Sequence, residues 1–167
     1  MPIALIVVGA LAAIVAILIA ISKKEARAKM AVMRDAYKAV LAQNNLAPDQ
    51  VDEFSHRIIG MDTQRKVFVA IQHDGTETPY NVIPLADVAD CKLQKSGLII
   101  QTTRKNGTNV TEDHTDGIAL SFMLRNGTSV DIPVYSEKLD GLTERIFLHR
   151  TAEKWQKLVR IAIGKTG

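Results

Sequence analysis

The sequence has a single cysteine, Cys91, among its 167 residues. A lone thiol cannot form an intramolecular disulfide, and an odd thiol fits a reducing compartment better than an oxidising one. Because Cys91 falls in the alternation of a predicted strand, we interpret it as a buried structural thiol. A nucleophile would need an exposed site and a nearby base.

The sequence also lacks the spacings that catalytic and metal sites need. None of the four histidines lies three or four residues from another histidine or from Cys91, so there is no zinc-like ligand spacing. There is no Gly-x-Ser-x-Gly elbow, no glycine-rich phosphate loop and no kinase signature. Residues 112–116, which include His114 and three carboxylates, are either a metal loop or a solvated polar loop, and we favour the second. We therefore predict a protein without catalytic residues, metal or cofactor.

No charged or strongly polar side chain occurs from Ile3 to Ile21. A helix of that length spans roughly 28 Å, close to the ~30 Å hydrocarbon thickness of a bilayer. A buried helix of a soluble protein is rarely apolar on every face. The competing interpretation is a cleavable signal peptide, which would carry a basic n-region, a shorter apolar core and a small-residue cleavage site. Only Met1 and Pro2 precede the run, so we predict an uncleaved transmembrane anchor at residues 1–22.

Positive charge is concentrated directly after the apolar run. Residues 23–38 carry six basic and two acidic side chains, which leaves the rest of the chain near −1 out of a total of +3. Basic residues beside a span stay on the cytoplasmic side, so we expect the N-terminus outside the inner membrane and residues 23–167 in the cytoplasm. A nucleic-acid-binding domain carries its own basic face, so nucleic acid is not an expected partner. The residues predicted to contact anionic lipid headgroups, without specificity for one lipid, are Lys23, Lys24, Arg27 and Lys29.

The helix is expected to continue to about residue 43, where Asn44-Asn45 favours a left-handed C-cap. An apolar stripe at spacings of four and three follows one face of this part, and small residues follow one face of the anchor. The stripe predicts either a short coiled coil between copies or the face that lies on the domain, and the small residues allow anchors to pack closely. The residues predicted to mediate self-association, into a possible homo-oligomer, are Gly9, Ala13, Met30, Met33 and Tyr37.

From Arg57 the pattern changes to short, apolar, β-branched runs that are separated by turns. Just before them, Pro48 and three carboxylates favour a short second helix over residues 48–57. The runs predict about seven strands. Ser96-Gly97 is expected to separate a strand at 88–95 from one at 98–104, and residues 108–116 are either a short edge strand or a mobile loop before the strand at 118–125. The predicted turns are Asp62–Arg65, Asn106-Gly107 and Asn126-Gly127.

The C-terminal segment returns to helical spacing from about Leu142 and ends at Gly164. Its apolar positions include Ile146 and Trp155, and we expect Trp155 to be the largest buried anchor of this helix. The expected fold class is α+β. It consists of an N-terminal transmembrane helix that continues into a cytoplasmic helix, then a small antiparallel β-barrel or sandwich of about seven strands capped by a C-terminal helix.

Seven strands followed by one amphipathic helix resemble the pleckstrin-homology (PH) superfold. The sequences of residues 57–71, RIIGMDTQRKVFVAI, and 80–93, YNVIPLADVADCKL, are similar to those of bacterial PH-like domains. The resemblance covers about residues 55–163 and implies a binding or scaffold module without catalysis. Only Arg65 and Lys66 lie near the turn of the first hairpin, so the resemblance does not extend to inositol-lipid recognition.

These patterns divide the chain into an anchor at 1–22, a basic juxtamembrane helix and connector at 23–55, and a PH-like β domain with its C-terminal helix at 56–167. The leading hypothesis is a membrane-tethered, non-enzymatic adaptor that presents a protein-binding groove or sheet edge at the inner leaflet. The alternative is a structural subunit of a larger membrane assembly, which self-associates through its N-terminal helices.

Overall fold

Helix α1 runs without interruption from Pro2 to Gln43 in the computed structural model of the chain. The structure describes the backbone of residues 2–74, 76–103 and 109–165, but no side chain within 2–19, at 23 or within 98–114. The end of α1 is as predicted. Asn45 takes the left-handed conformation with a φ of 53°, and the side chain of Asn44 donates a hydrogen bond to the carbonyl oxygen of Val40 at 2.8 Å.

Seven strands follow α1 within the described ranges, and they form two antiparallel sheets. The first sheet has the order β1-β2-β3-β4 and the second the order β5-β6-β7. The α+β class, the number of strands and the C-terminal helix are confirmed, but the sheets remain separate, so a closed barrel was the wrong alternative. The elements are β1 (Gln50–Phe54), β2 (Arg57–Asp62), β3 (Val67–Gln72), β4 (Tyr80–Pro84), β5 (Val88–Thr103), β6 (Asn109–Leu124), β7 (Ser129–Ser136), α2 (Glu137–Asp140) and α3 (Arg145–Ala162).

The short helix predicted over residues 48–57 is wrong, because this segment forms strand β1 and pairs antiparallel with β2. The three carboxylates that suggested a helix start are bound to distant groups instead. Asp49 accepts hydrogen bonds from the backbone and the hydroxyl of Thr63, at 2.8 and 2.9 Å. Asp52 and Glu53 are bound by side chains of α3 and α1, respectively.

Strands β5 and β6 are each 16 residues long. The sequence predicted two shorter strands in place of β5, and for the first half of β6 it left open a short edge strand or a mobile loop. The predicted break at Ser96-Gly97 is only a shift of register between the paired strands, which is typical of a β-bulge. The chain turns at Asp62–Arg65 and at Asn126-Gly127 as predicted. The predicted turn at Asn106-Gly107 lies outside the described residues.

The inner core lies between the two sheets and α3. The ring of Phe68 in β3 lies 4.8 Å from that of Phe122 in β6 and 5.7 Å from that of Trp155, centroid to centroid. Trp155 is fully buried, as predicted, whereas Ile146 is 64% exposed and not a core residue. The buried positions of α3 are Leu148, Thr151, Ala152, Trp155 and Val159.

The C-terminal half of α1 packs on the outer face of the first sheet. Burying a large apolar side chain contributes roughly 1.5–3 kcal/mol, so this contact joins α1 firmly to the domain. Every residue of β2 is buried as a result, because the inner core covers one of its faces and α1 the other. We call this contact the outer cluster; its buried members are Met33, Tyr37, Val40, Ile58, Val69 and Ile71.

Gly60 of β2 allows α1 to approach the sheet. A Cβ atom at this position would lie 1.9 Å from the Tyr37 hydroxyl oxygen and 3.1 Å from Cζ of the same ring. Only a residue without a side chain leaves room for the tyrosine here.

Within the part of the chain that the structure describes, no helix is long and apolar enough to cross a membrane. The side chains of residues 2–19 lie outside that part. The anchor at residues 1–22 therefore stays a prediction.

Candidate functional site

A shallow groove of about 820 Å³ lies on the outer face of the second sheet, beside α2. Outward-facing positions of β5, β6 and β7 form its floor, since the alternate residues of each strand face the inner core. We call it the sheet-face groove. It is lined by Gln72, Gln94, Ser96, Asp116, Gly117, Ile118, Ala119, Asp131, Pro133, Tyr135, Ser136, Glu137, Lys138 and Leu139.

Small residues keep the floor of the sheet-face groove low. Gln94, Ala119 and Pro133 form one row across the three strands, as their register shows. Gly117 lies two residues before Ala119 on β6, and a Cβ atom there would lie 2.5 Å from the Ser96 hydroxyl. Pro133 lies on the edge strand β7, which is where a sheet tolerates a residue without a backbone N–H.

Carboxylates outnumber ammonium groups in the sheet-face groove. Asp116, Asp131 and Glu137 line it together with one lysine, Lys138. The Ser96 hydroxyl donates a hydrogen bond to Asp116 at 2.7 Å, which fixes that carboxylate at the groove wall. Amide side chains add further donors and acceptors. The groove is therefore suited to an extended polar or basic segment of another protein.

A small cavity of about 20 Å³ lies between the sheets on the β4 and β7 side. Arg57 of β2 lines it, together with residues of β3, β4 and β7. Its Nη1 donates to the carbonyl oxygen of Val134 in β7 and, at 2.9 Å, to Asp140. Its Nε and Nη2 have no hydrogen-bond partner among the described residues, and a cavity of this size holds one water at most. A peptide strand has no room in this cavity.

A second groove, also of about 820 Å³, separates α1 from the N-terminal end of α3. The guanidinium of Arg34 binds Glu53 at 2.6 Å on one wall, and burial is the main cause that lowers the pKa of His56. We call it the helix groove. It is lined by Ser22, Glu25, Ala26, Arg27, Lys29, Met30, Arg34, Glu53, Phe54, Ser55, His56, Asp140, Glu144, Phe147 and Leu148.

The lysines and arginines that were predicted to contact lipid headgroups are accessible where the structure describes them. The side chains of Lys24, Arg27 and Lys29 are all exposed on α1. The side chain of Lys23 lies outside the described residues. Headgroup contact by these residues stays a prediction.

The residues predicted to mediate self-association have different surroundings. Met33 and Tyr37 are buried against β2 and β3 of their own chain, and Met30 is half-buried beside them. A contact between copies through Met33 and Tyr37 would require α1 to leave the sheet. Of the two alternatives for the apolar stripe, the structure therefore shows the one in which it packs on the domain of its own chain. The side chains of Gly9 and Ala13 lie outside the described residues.

Cys91 is fully buried in the inner core, on the inward face of β5. Burial, and secondarily the charge of Asp90, raises the pKa of the thiol to about 12, so it carries no thiolate at neutral pH. Among the described residues, no three or more His, Cys, Asp or Glu side chains are grouped as a metal ion would need. The side chain of His114 lies outside the described part of the chain.

No protein-family model matches the chain, and no curated protein and no solved structure matches it either. The grooves and their side chains therefore carry the functional argument. The sequence did not indicate the sheet-face groove, because its lining residues come from β3 to α2 and nothing local shows which strands pair. The one available signal was the outward position of Gln94, Ala119 and Asp131 in the strand alternation.

Proposed function

We propose that this chain is a membrane-tethered, non-enzymatic PH-like adaptor. Residues 3–21 anchor it in the inner membrane with the N-terminus outside, and the β domain lies in the cytoplasm. The sheet-face groove receives a segment of a partner protein. The chain brings that partner to the inner leaflet without changing it chemically.

The continuity of α1 carries this proposal. One helix contains both the apolar run and the α1 residues of the outer cluster, with no loop between them. Flexible tethers need residues such as glycine and serine, and none interrupts the helix between the run and Met33 except Ser22. The domain is thus held at a fixed distance from whatever contains residues 3–21.

The arrangement of elements supports the PH-like part of the proposal. A four-stranded and a three-stranded antiparallel sheet are followed by one C-terminal helix that packs between them. This is the layout that the sequence resemblance implies. Domains of that kind serve as binding modules, so the resemblance favours an adaptor over an enzyme.

The sheet-face groove is the surface that we assign to a protein partner. It is wide and open, its lining is mixed polar and apolar, and it combines three carboxylates with the low floor at Gly117 and Ala119. An extended segment with basic or amide side chains complements these groups. The narrow cavity at Arg57 offers no comparable surface.

Site-specific photo-crosslinking in cells that produce the full chain tests the proposal. A photoreactive amino acid at position 94 should crosslink one protein reproducibly. Ala119→Arg, which fills the groove floor, should abolish that product. Met123→Arg is the matched control, because Met123 lies on the same strand and face but does not line the groove. Loss of the product in both variants, or in neither, would contradict binding in the groove.

The tether is tested separately in the same cells. The chain should remain in the membrane fraction after alkaline extraction, and its C-terminal domain should be digested by protease only when the cytoplasmic face is accessible. Release into the soluble fraction would exclude the anchor but leave the groove test valid.

A further inference from the structure

Large apolar side chains are exposed at the N-terminal end of α3 and in the turn that precedes it. Leu142 is 59% exposed, Ile146 64% and Phe147 57%, and they fall within six consecutive positions. Helical spacing placed Ile146 in the core, yet the buried face of α3 is the one that contains Leu148 and Trp155. Phe147 makes an edge-to-face contact with the core residue Phe54, at 6.4 Å between ring centroids, yet more than half of its surface stays exposed. Leu142 and Ile146 do not belong to the inner core.

Phe147 lies across the helix groove from the first residues that follow the apolar run. Both Phe147 and Ser22 line this groove, and Ser22 directly follows Ile21. A helix rises 1.5 Å per residue, so Ser22 is roughly 16 Å along α1 from Met33, where the helix meets the sheet. The end of α3 thus lies on the side of the domain from which α1 leaves toward the anchor.

Basic residues surround the exposed apolar side chains. Arg145 and Arg150 flank Ile146, and with it they line a further groove of about 330 Å³ that also includes Lys95 and one carboxylate, Glu153. The first turn of α3 contains no acidic residue, although the helix dipole favours negative charge there, so the basic residues are not explained by helix stability. Arg27 and Lys29 line the helix groove, and the exposed Lys24 lies near them on α1. The same lining holds four carboxylates, of which Glu53 and Asp140 are paired with Arg34 and Arg57, whereas the other two are Glu25 and Glu144.

We infer that the N-terminal end of α3 is a second membrane contact, which docks onto the anionic leaflet beside the anchor. Phe147 and Ile146 enter the interface, and Arg145 and Arg150 lie at the level of the lipid phosphates. Exposed aromatic and aliphatic groups with a basic surround are the side chains that insert at a bilayer interface, to a depth of about 5–10 Å. Each basic residue near an anionic surface adds on the order of 1 kcal/mol.

This inference rests on the proposed tether and adds a fixed orientation to it. An anchor alone lets the domain rotate about α1, whereas a second contact holds one side of the domain against the bilayer. The occupant is the lipid surface itself. Continuity with the anchor argues for it, because the helix groove begins one residue after the apolar run.

Lipid quenching of a probe on the full chain tests the contact. A single cysteine replaces Phe147, and in a second variant Ile146, and carries an environment-sensitive fluorophore. Cys91 is fully buried and stays unlabelled under native conditions, which the unsubstituted chain checks. The chain is reconstituted into bilayer discs of phosphatidylcholine and phosphatidylserine that contain a lipid with a nitroxide close to its headgroup.

The matched control is Ile161→Cys on the same helix. Ile161 is 56% exposed, almost the same as Phe147, but it lies 14 residues further along α3, roughly 21 Å away. Quenching at positions 146 and 147 should exceed that at 161 by about two- to three-fold, because only these probes reach the interface. Arg145→Glu with Arg150→Glu should lower the quenching at 147 toward the value at 161.

Equal quenching at positions 147 and 161 would overturn the second contact. Unchanged quenching after the charge reversals would also overturn it as a contact with anionic lipid. Trp155 emission, recorded on every variant, checks that the domain is folded. If the anchor itself failed, the chain would not enter the discs, so failure of the tether is distinguishable from failure of this contact.

Discussion

The guanidinium of Arg57 and the carboxylate of Asp140 form an ion pair at 2.9 Å with side chains that are only 1% and 3% exposed. Asp140 also accepts the backbone N–H of Ser136 at 2.8 Å. Because Arg57 belongs to β2 and also binds Val134 of β7, this pair joins the first sheet to the second and to α2.

Removing the negative partner of this pair should be strongly destabilising. Asp140→Asn leaves a buried guanidinium without its counter-charge, so the free energy of unfolding should fall by roughly 3–5 kcal/mol. Urea unfolding of the full chain in mild detergent, followed by Trp155 fluorescence, measures it. The double variant Arg57→Met, Asp140→Leu should lose much less, since it removes both charges. If both variants lost the same amount, the uncompensated charge would not be the cause.

The hydrogen bond from the Trp155 indole to Asp52 should contribute more to the free energy of unfolding than the ion pair between Lys154 and the same carboxylate. Nε1 of the buried Trp155 donates to Asp52 at 2.8 Å, and the half-exposed Lys154 approaches the same oxygen at 2.7 Å. Asp52→Leu leaves the buried indole N–H without a partner and should cost about 1–3 kcal/mol. Lys154→Ala should cost less than about 1 kcal/mol. Chemical unfolding of both variants checks the order, and the reverse order would contradict it.

A methyl group at position 60 should loosen α1 from the sheet. Gly60→Ala places a Cβ atom 1.9 Å from the Tyr37 hydroxyl oxygen, and such overpacking costs typically about 1–3 kcal/mol. Limited proteolysis should then cut the C-terminal half of α1 faster than in the unsubstituted chain. Tyr37→Ala removes the atoms with which the new Cβ atom clashes. We therefore expect Tyr37→Ala to lower the free energy of unfolding less in the Gly60→Ala variant than in the unsubstituted chain. An additive double variant would show that the two residues do not compete for this space.

The stability of the domain should fall at alkaline pH. Burial raises the pKa of Cys91 from 9.0 to about 12 and that of Tyr37 from 10.0 to about 12. Between these values the folded state holds protons that the unfolded state has released. The free energy of unfolding therefore decreases as the pH rises from about 9 to 12, by up to about 1.4 kcal/mol per pH unit for each group.

Two variants test whether Cys91 and Tyr37 cause this pH dependence. Cys91→Ala and Tyr37→Phe each remove one titrating group, so each should flatten the decrease measured by urea unfolding at several pH values. Tyr37→Phe should cost little at neutral pH, because the Tyr37 hydroxyl has no hydrogen-bond partner among the described residues. An unchanged slope in both variants would exclude these two groups as its source.

Local sequence patterns predicted most of the helices and strands. They failed for the segments whose secondary structure depends on a distant partner. The segment at Asp49 to Glu53 has a helix-start composition, yet it is a strand because β2 offers it a ladder and three separate elements bind its carboxylates. Ser96-Gly97 predicted the end of a strand. Strand β6 continues opposite these residues, however, so the pairing only shifts its register there, as at a β-bulge. In both cases a long-range pairing overrode a local preference.

The candidate site was less predictable than the fold. The stripe through Met33 and Tyr37 was recognised as apolar, but the sequence left open whether a second copy or the domain covers it. The exposure of Ile146 and Phe147 was not foreseen, because helical spacing gives two neighbouring apolar positions and only the packed neighbour decides which one is buried. The sheet-face groove exists only once three strands lie side by side.

The sequence by itself determined the uncharged run at 3–21, the basic segment after it, the buried strands and the turns at Asp62–Arg65 and Asn126-Gly127. These depend on interactions within a few residues, such as side-chain alternation and the conformations that Asn and Gly allow. The tertiary structure alone decided that Asp52 meets Trp155, 103 residues away, and that α1 lies on β2 and β3. Such contacts leave no local signal, because their free energy arises only when both partners are buried in the same place.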